Sequence, residues 1–195
     1  LKENKVEQSI RKLEGALKNE PGNPLIYRYL GEAYLLNDNM DKAIEILKEG
    51  VKLSSKSADM HYYLGEALRI KMERTSWVHL YSKMSSGEGS WNELSEAVRL
   101  DPKHFDAHFS LGLMYYYAPK CYKKTDDAIS EFKTALEIKP DSTKAHYWLG
   151  EVYYKKGEES LAIAAWEKTL KLDPKNMEAR DALSKIMVKK RGQGK

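Results

Sequence analysis

Apolar residues recur on a helical period along nearly the whole chain. Over 143–156 they fall at Ala145, Trp148, Leu149, Val152 and Tyr153, a spacing that gives one helix an apolar face. Gly157 is placed to end that helix. A second stripe follows at Leu161, Ala162, Ala165, Trp166, Thr169 and Leu170, and this helix should stop before Pro174. Gly150, inside the first helix, is expected to let the second approach closely. One such pair cannot bury its own apolar stripe. Stacked pairs can, and then stability is shared between neighbours.

The unit repeats. Leu-Gly pairs stand at Leu30-Gly31, Leu64-Gly65, Leu111-Gly112 and Leu149-Gly150, at intervals of 34, 47 and 38 residues. A second series closes each unit at Pro21, Ser55, Pro102, Pro140 and Pro174, at intervals of 34, 47, 38 and 34, with serine once in the place of proline. The two series agree in phase, which is the signature of a repeat array. From Leu-Gly to the closing position takes 25 residues in the regular units, 38 in the second and 29 in the third. The extra residues therefore lie between the two helices of a pair.

The set Leu149-Gly150, Tyr153, Gly157, Ala162, Trp166, Leu170 and Pro174 resembles the tetratricopeptide repeat. Leu30-Gly31, Tyr34, Ala43, Leu47 and Val51 meet the same positions, as do Leu111-Gly112, Tyr115, Ala128, Phe132, Ala135 and Pro140. The departures are Ser55 for proline, Leu68 where an aromatic is usual, and the two long units. The resemblance implies an all-α fold, a right-handed α-α superhelix (TPR solenoid) of antiparallel helix pairs. A single solenoid is then expected over 1–190: a half repeat at 1–23, full repeats at 24–57, 58–104, 105–142 and 143–176, and a capping helix at 177–190. In the half repeat Ile10, Leu13 and Leu17 should face inward. In the capping helix Ala179, Leu183, Ile186 and Met187 should do so. Residues 191–195 form a basic tail.

Inside the second unit, Trp77, Leu80, Tyr81 and Met84 keep helical spacing, so an added turn or two is expected there. Ser85-Ser86-Gly87-Glu88-Gly89 reads as loop. Ser90-Trp91-Asn92-Glu93 has the form of a capping box, which places the start of the second helix near Ser90. Trp77, Leu80 and Tyr81 are candidate partner contacts, weighed against simple packing onto neighbouring helices. In the third unit the extra piece lies near Ala118-Pro119-Lys120-Cys121-Tyr122, and Thr125 should cap the next helix.

The resemblance also implies that the first helix of each pair lines a groove for a peptide. Position by position, that groove includes Arg28, Glu32, Leu35, Tyr62, Glu66, Arg69, Phe109, Leu113, Tyr116, Tyr147, Glu151 and Tyr154. Family members that clamp acidic C-terminal peptides carry Lys, Asn and Arg at such positions. Glu32, Glu66 and Glu151 would repel those peptides. The expected partner is a protein or peptide with apolar anchors and basic residues, and tyrosine supplies contact area at low rotamer cost. The glutamates are expected to be exposed, whereas each tyrosine is divided between groove and packing between repeats.

Composition trims the alternatives. Net charge is +4 over 195 residues, no mark of a nucleic-acid binder. The longest uncharged apolar run, Leu111–Ala118, is far short of the ~20 residues a membrane helix needs. The lone Cys121 excludes an internal disulfide and has no telling histidine partner. No Gly-rich phosphate loop is present. His104 and His108 stand at i, i+4, but His61, His108 and His146 recur at one repeat position, so packing or capping explains them better than a metal. No enzyme activity, cofactor, metal or small-molecule substrate is expected. The chain begins at Leu1 without an initiator Met and shows no signal peptide. Something is expected upstream, and the compartment stays open with the cytoplasm favoured over the periplasm. The leading expectation is a non-enzymatic interaction scaffold or assembly factor. Its rival is an architectural or self-associating subunit using its edges and the 70–90 insertion. An RNA-binding helical repeat is disfavoured by glutamate at three of four equivalent groove positions.

Overall fold

A computed structural model describes the backbone of residues 2–75, 80–118 and 124–193, and the side chains of 5–75, 87–118 and 124–188. Among the described residues, all regular structure is helical. The elements are α1 Lys2–Asn19, α2 Pro24–Leu36, α3 Met40–Leu53, α4 Ala58–Arg74, α5 Leu80–Leu100, α6 Phe105–Tyr117, α7 Thr125–Ile138, α8 Thr143–Lys156, α9 Glu159–Leu172 and α10 Met177–Gln193. The chain divides into two compact units, Leu1–Ala107 and His108–Lys195. In the first, α2 pairs with α3 and α4 with α5, while α1 packs on α2 and α2 on α4. In the second, α7 packs on α8, α8 on α9 and α9 on α10.

Local chemistry sets the ends of the first helices. Asn23, Ser57 and Ser142 each accept a backbone N–H of the first turn, from Leu25, Met60 and Ala145. Pro24 sits at the first helical position, where a missing N–H is harmless. Gly157 ends α8 with φ 89°, the left-handed conformation that glycine adopts without strain.

A second device repeats with the sequence. The fourth residue of a first helix reaches back to the carbonyl of the closing position six residues earlier. Tyr27 Oη donates to Pro21 O at 2.8 Å, and Arg180 donates to Pro174 O at 2.7 Å. His61 Nε2 lies 3.0 Å from Ser55 O, and His146 Nε2 lies 2.9 Å from Pro140 O. This clip uses a main-chain oxygen, so serine serves at 55 as well as proline elsewhere. The recurring histidines at 61 and 146 are structural pins.

The core follows the predicted stripes. Ile10 is buried on α1 with Leu13 and Leu17 packed beside it, and Leu30, Leu47, Met60 and Leu64 complete the first unit's centre. Trp166, Phe132, Val152 and Ile186 are fully buried in the second. Two expected core positions are not. Leu161 precedes the buried stripe Ala162, Ala165, Trp166 and Thr169 and faces solvent. On α10 the stripe is Ala179, Ala182, Leu183 and Ile186, and Met187, just off it, is 57 % exposed.

The second repeat departs further from expectation. Residues 85–89 are not a loop, because α5 runs unbroken from Leu80 to Leu100. Ser90 is no N-cap: it is fully buried in mid-helix, and its hydroxyl donates to Gly65 O at 2.9 Å. Glu93, the expected reciprocal residue of a capping box, instead binds His61 Nδ1 at 2.6 Å. The glycines that read as loop serve close packing. A methyl on Gly87 would lie 2.9 Å from Met72 Sδ, and one on Gly89 would lie 3.2 Å from Leu68 Cδ1. In the third repeat α7 begins at Thr125 itself, and the preceding residue Lys124 makes no side-chain cap. Trp77 and residues 119–123, including Cys121, lie outside the described residues. The side chains of Leu80, Tyr81 and Met84 do as well.

Candidate functional site

Helical faces of α2 and α4 meet in the first unit. Tyr63 leans from α4 onto α2, where its hydroxyl bonds Glu32 and its ring lies 5.9 Å from the Arg28 guanidinium. Burial and Glu32 push the Tyr63 phenol up to about 12. Arg28 also stacks on Tyr29 at 4.0 Å and pairs with Glu32 at 3.8 Å and Asp59 at 4.0 Å. Tyr62 packs against Tyr63 and His104, with centroids 5.1 and 4.9 Å apart. Burial, then Glu66 and Asp106, holds its phenol well above the ordinary tyrosine value.

Arg69 behaves differently from an open groove cation. Its Nε and Nη2 fork onto the two oxygens of Glu66 at 2.9 and 2.6 Å, and Nη1 donates to Glu73 at 2.5 Å. The residue is only 9 % exposed. Burial opposes its charge, and the two carboxylates outweigh that and raise its pKa. Glu66, expected on the surface, is held down by this fork. Glu32 stays more open.

The second unit carries an aromatic cluster at the facing ends of α6 and α8. Trp148 stands edge-on to Tyr116, Tyr117 and Tyr147, with centroids 5.2, 5.8 and 5.6 Å away. Edge-to-face pairs of this kind add to plain area burial. Tyr117 and Tyr154 are exposed, while Tyr116 and Tyr147 are half-buried. The hydroxyls of Tyr116 and Tyr147 both bond the Glu151 carboxylate. Burial raises the Glu151 pKa, against the hydroxyl of Tyr147, the charge of Lys185 and the hydroxyl of Tyr116. Tyr116 is itself pushed up to about 12, by burial and Glu151. Phe109 and Leu113 are buried: Phe109 packs edge-on to Phe132 at 5.6 Å, under the ammonium of Lys144 at 4.5 Å.

Of the sequence-predicted residues, the structure thus pairs Arg28 with Glu32 on α2 and Glu66 with Arg69 on α4, and sets Tyr62 beside Glu66, against Tyr63 and His104. It brings Tyr116, Tyr147 and Glu151 together in the second. Tyr154 lies on Trp166 at 5.8 Å. Tyr63, Tyr117 and Trp148 were not singled out as groove residues. Tyr63 and Trp148 share one repeat position, next to Tyr62 and Tyr147, and that register was the signal available. Among the described residues, no group of His, Cys, Asp and Glu could hold a metal ion, and no helix is long and apolar enough to cross a membrane.

Helix pairs in fixed register, joined through glycine contacts and closed by a main-chain clip, define a helical-repeat protein. Family models described as tetratricopeptide repeat match residues 1–68 and 143–176, and one described as TPR repeat matches 123–157. Together they span more than half the sequence. The chain belongs to the tetratricopeptide-repeat family. Its backbone resembles TTC0263, a thermophilic TPR protein of Thermus thermophilus, with TM-score 0.73 and 22 % identity over 95 % of this chain and 92 % of that one. MamA matches with TM-score 0.69 and 26 % identity over 89 % and 91 %. YrrB, described as a TPR protein with an unusual peptide-binding site, matches with TM-score 0.68 and 21 % identity over 93 % and 84 %. Among curated proteins, anaphase-promoting complex subunit 3 of Schizosaccharomyces pombe is 21 % identical over 172 residues, 88 % of this chain. The chain spans only 23 % of that relative's length. Proteins of this family are generally interaction scaffolds rather than enzymes.

Proposed function

We propose that the chain is a non-enzymatic interaction scaffold that holds a peptide segment of a partner protein against the first helices of its repeats. The observation that carries this is the cluster of Tyr116, Tyr117, Tyr147 and Trp148 on α6 and α8. It offers rigid aromatic area, partly open to solvent, with a carboxylate set among the rings. Such residues supply most of the binding energy at protein interfaces because they bury much surface for few lost rotamers. Arg28, Glu32, Tyr62 and Glu66 offer a second, more charged contact in the first unit. A partner with apolar anchors and basic side chains suits both. The test is site-specific photo-crosslinking in extract of the source cells. A benzoylphenylalanine at 154 should capture a protein that the same probe at 167, on the exposed side of α9, does not. Equal capture from both positions would remove the groove from the reading.

A second reading has its own observation. Leu25, Tyr29 and Leu36 lie within about 40° of one another around α2, and all three are exposed, Leu36 by 71 %. Tyr63, the repeat equivalent of Tyr29, is instead half-buried, with its hydroxyl on Glu32 of the neighbouring first helix. The α2 edge thus presents a docking face of the kind that receives a further helix, as in a subunit of a larger assembly. The likeness to a named complex subunit is consistent with this. Introducing a charge at Leu25 and Leu36 (both to Glu) should leave folding intact and lower the apparent mass of the native assembly in size-exclusion chromatography. An unchanged profile removes this reading.

A further inference from the structure

The three groove glutamates differ in one respect. Glu32 has Arg28 at 3.8 Å, and Glu66 has the Arg69 fork. Glu151 has no cation within ion-pairing distance among the described residues; its bonds come from the Tyr116 and Tyr147 hydroxyls. Lys185 on α10 is felt only through space. Lys155, one turn along α8, is turned away: its ammonium lies 4.4 Å over the Tyr116 ring and donates to the Tyr116 carbonyl. A carboxylate offers about four lone-pair positions, and two hydroxyls fill two of them. The carboxylate sits among half-buried rings, where a charge is less screened than in open water.

The surroundings suit a cation as well as the carboxylate does. Aromatic faces attract ammonium and guanidinium groups. This chain already uses its own rings so, with Lys155 over Tyr116 and Arg28 over Tyr29 at 4.0 Å. A half-buried anion without a paired cation is costly, and among the described residues this one is held by two neutral donors and the more distant charge of Lys185. We infer that the occupant supplies the missing charge: Glu151, set between Tyr116 and Tyr147 and beside Trp148, is the subsite for a Lys or Arg side chain of the bound segment. An acidic or neutral residue at that place in the partner leaves the carboxylate desolvated and unpaired, which is a penalty, so the subsite selects by rejection as well as by attraction. This inference rests on the groove reading and narrows it to one position and one chemistry.

The test uses the full chain and a displayed library of random 12-residue peptides. Binders that are lost on Tyr147→Ala and Tyr154→Ala are taken as groove binders. They should carry Lys or Arg at a fixed spacing from an apolar anchor. Replacing that residue in a synthetic binder with norleucine should weaken it about tenfold or more, the scale of one charge-assisted hydrogen bond. Arg and Lys versions compared side by side show which head group is preferred. On Glu151→Gln, which keeps the shape and the acceptor for the tyrosines, the basic and norleucine peptides should bind alike. Groove binders without basic enrichment, or a preference that survives Glu151→Gln, overturn the inference and leave the groove reading standing. A selection whose binders are all indifferent to Tyr147 and Tyr154 overturns the groove reading itself.

Discussion

Gly150 on α8 lies so close beneath the indole of Trp166 on α9 that an added methyl would stand 2.4 Å from Nε1. The indole cannot easily retreat, since Nε1 donates to the Tyr147 carbonyl at 3.2 Å. The same relation joins Gly31 to Leu47, Gly65 to Leu94 and Gly112 to Phe132, at 2.4, 2.7 and 2.7 Å. Alanine would gain up to about 1 kcal/mol of helix propensity, but overpacking a filled core costs about 1–3 kcal/mol. Gly150→Ala should therefore destabilise the fold by about 1 kcal/mol, read as a lowered Tm in thermal denaturation. Adding Trp166→Leu should relieve the clash, so the two changes should be non-additive.

Gly87 decides between the sequence reading and the structure of the second repeat. In a loop at 85–89 a proline would be tolerated. Within the continuous helix α5 it removes a hydrogen bond and collides with the carbonyl four residues back, costing ~3 kcal/mol or more. Gly87→Pro should accordingly lower the denaturation midpoint strongly and reduce helical circular dichroism. A variant as stable as the parent would show that the helix does not run through this point.

The difference in legibility has a physical source. Phase was readable because Leu-Gly and the closing position make contacts that are short-range in sequence: Gly150 under Trp166 inside one repeat, and His146 back to Pro140 across the junction with the repeat before. The reading of Ser90 failed because Ser-x-x-Glu describes a local exchange of hydrogen bonds. Here tertiary partners took both residues, Gly65 for Ser90 and His61 for Glu93. The candidate site was legible in residue type but not in pairing. Nothing in the spacing of Glu66, Arg69 and Glu73 distinguishes a closed fork from three solvated side chains. Nor does Glu151, by sequence, announce that two tyrosines from different helices meet on it.

Arg69 gives a test of that closed fork. Its removal takes the guanidinium fork away from Glu66, at 17 % side-chain exposure, while Glu73 can still turn to water. Breaking a buried pair by removing one member costs several kcal/mol, and the open rim at Glu73 puts this case at the low end, about 3 kcal/mol. Arg69→Met should show that loss in denaturant unfolding. Arg69→Met combined with Glu66→Gln should recover a good part of it, because the half-buried carboxylate that faced the guanidinium is then neutral. If the single variant is as stable as the parent, the fork contributes nothing.

Glu151 makes its own prediction through pH. Burial holds its carboxyl above the ordinary value of 4.5. When the native pKa is the higher one, the stabilising contribution belongs to the protonated form. That contribution is fully present below the unfolded value and is lost as pH rises through the native one. The ionised carboxylate, short of a cation, is thus a mild burden at neutral pH. Glu151→Gln keeps an acceptor for Tyr116 and Tyr147 and never ionises, so its stability relative to the parent should improve as pH rises from below 4.5 and level off near neutrality. Paired melting curves from about pH 4 to pH 8 measure the difference directly, with the other titrating groups common to both proteins. A gap that stays constant, or that closes towards neutral pH, would mean that Glu151 is already compensated. A basic ligand bound at this position should reverse the order at neutral pH, because the parent then gains the ion pair and the glutamine variant does not.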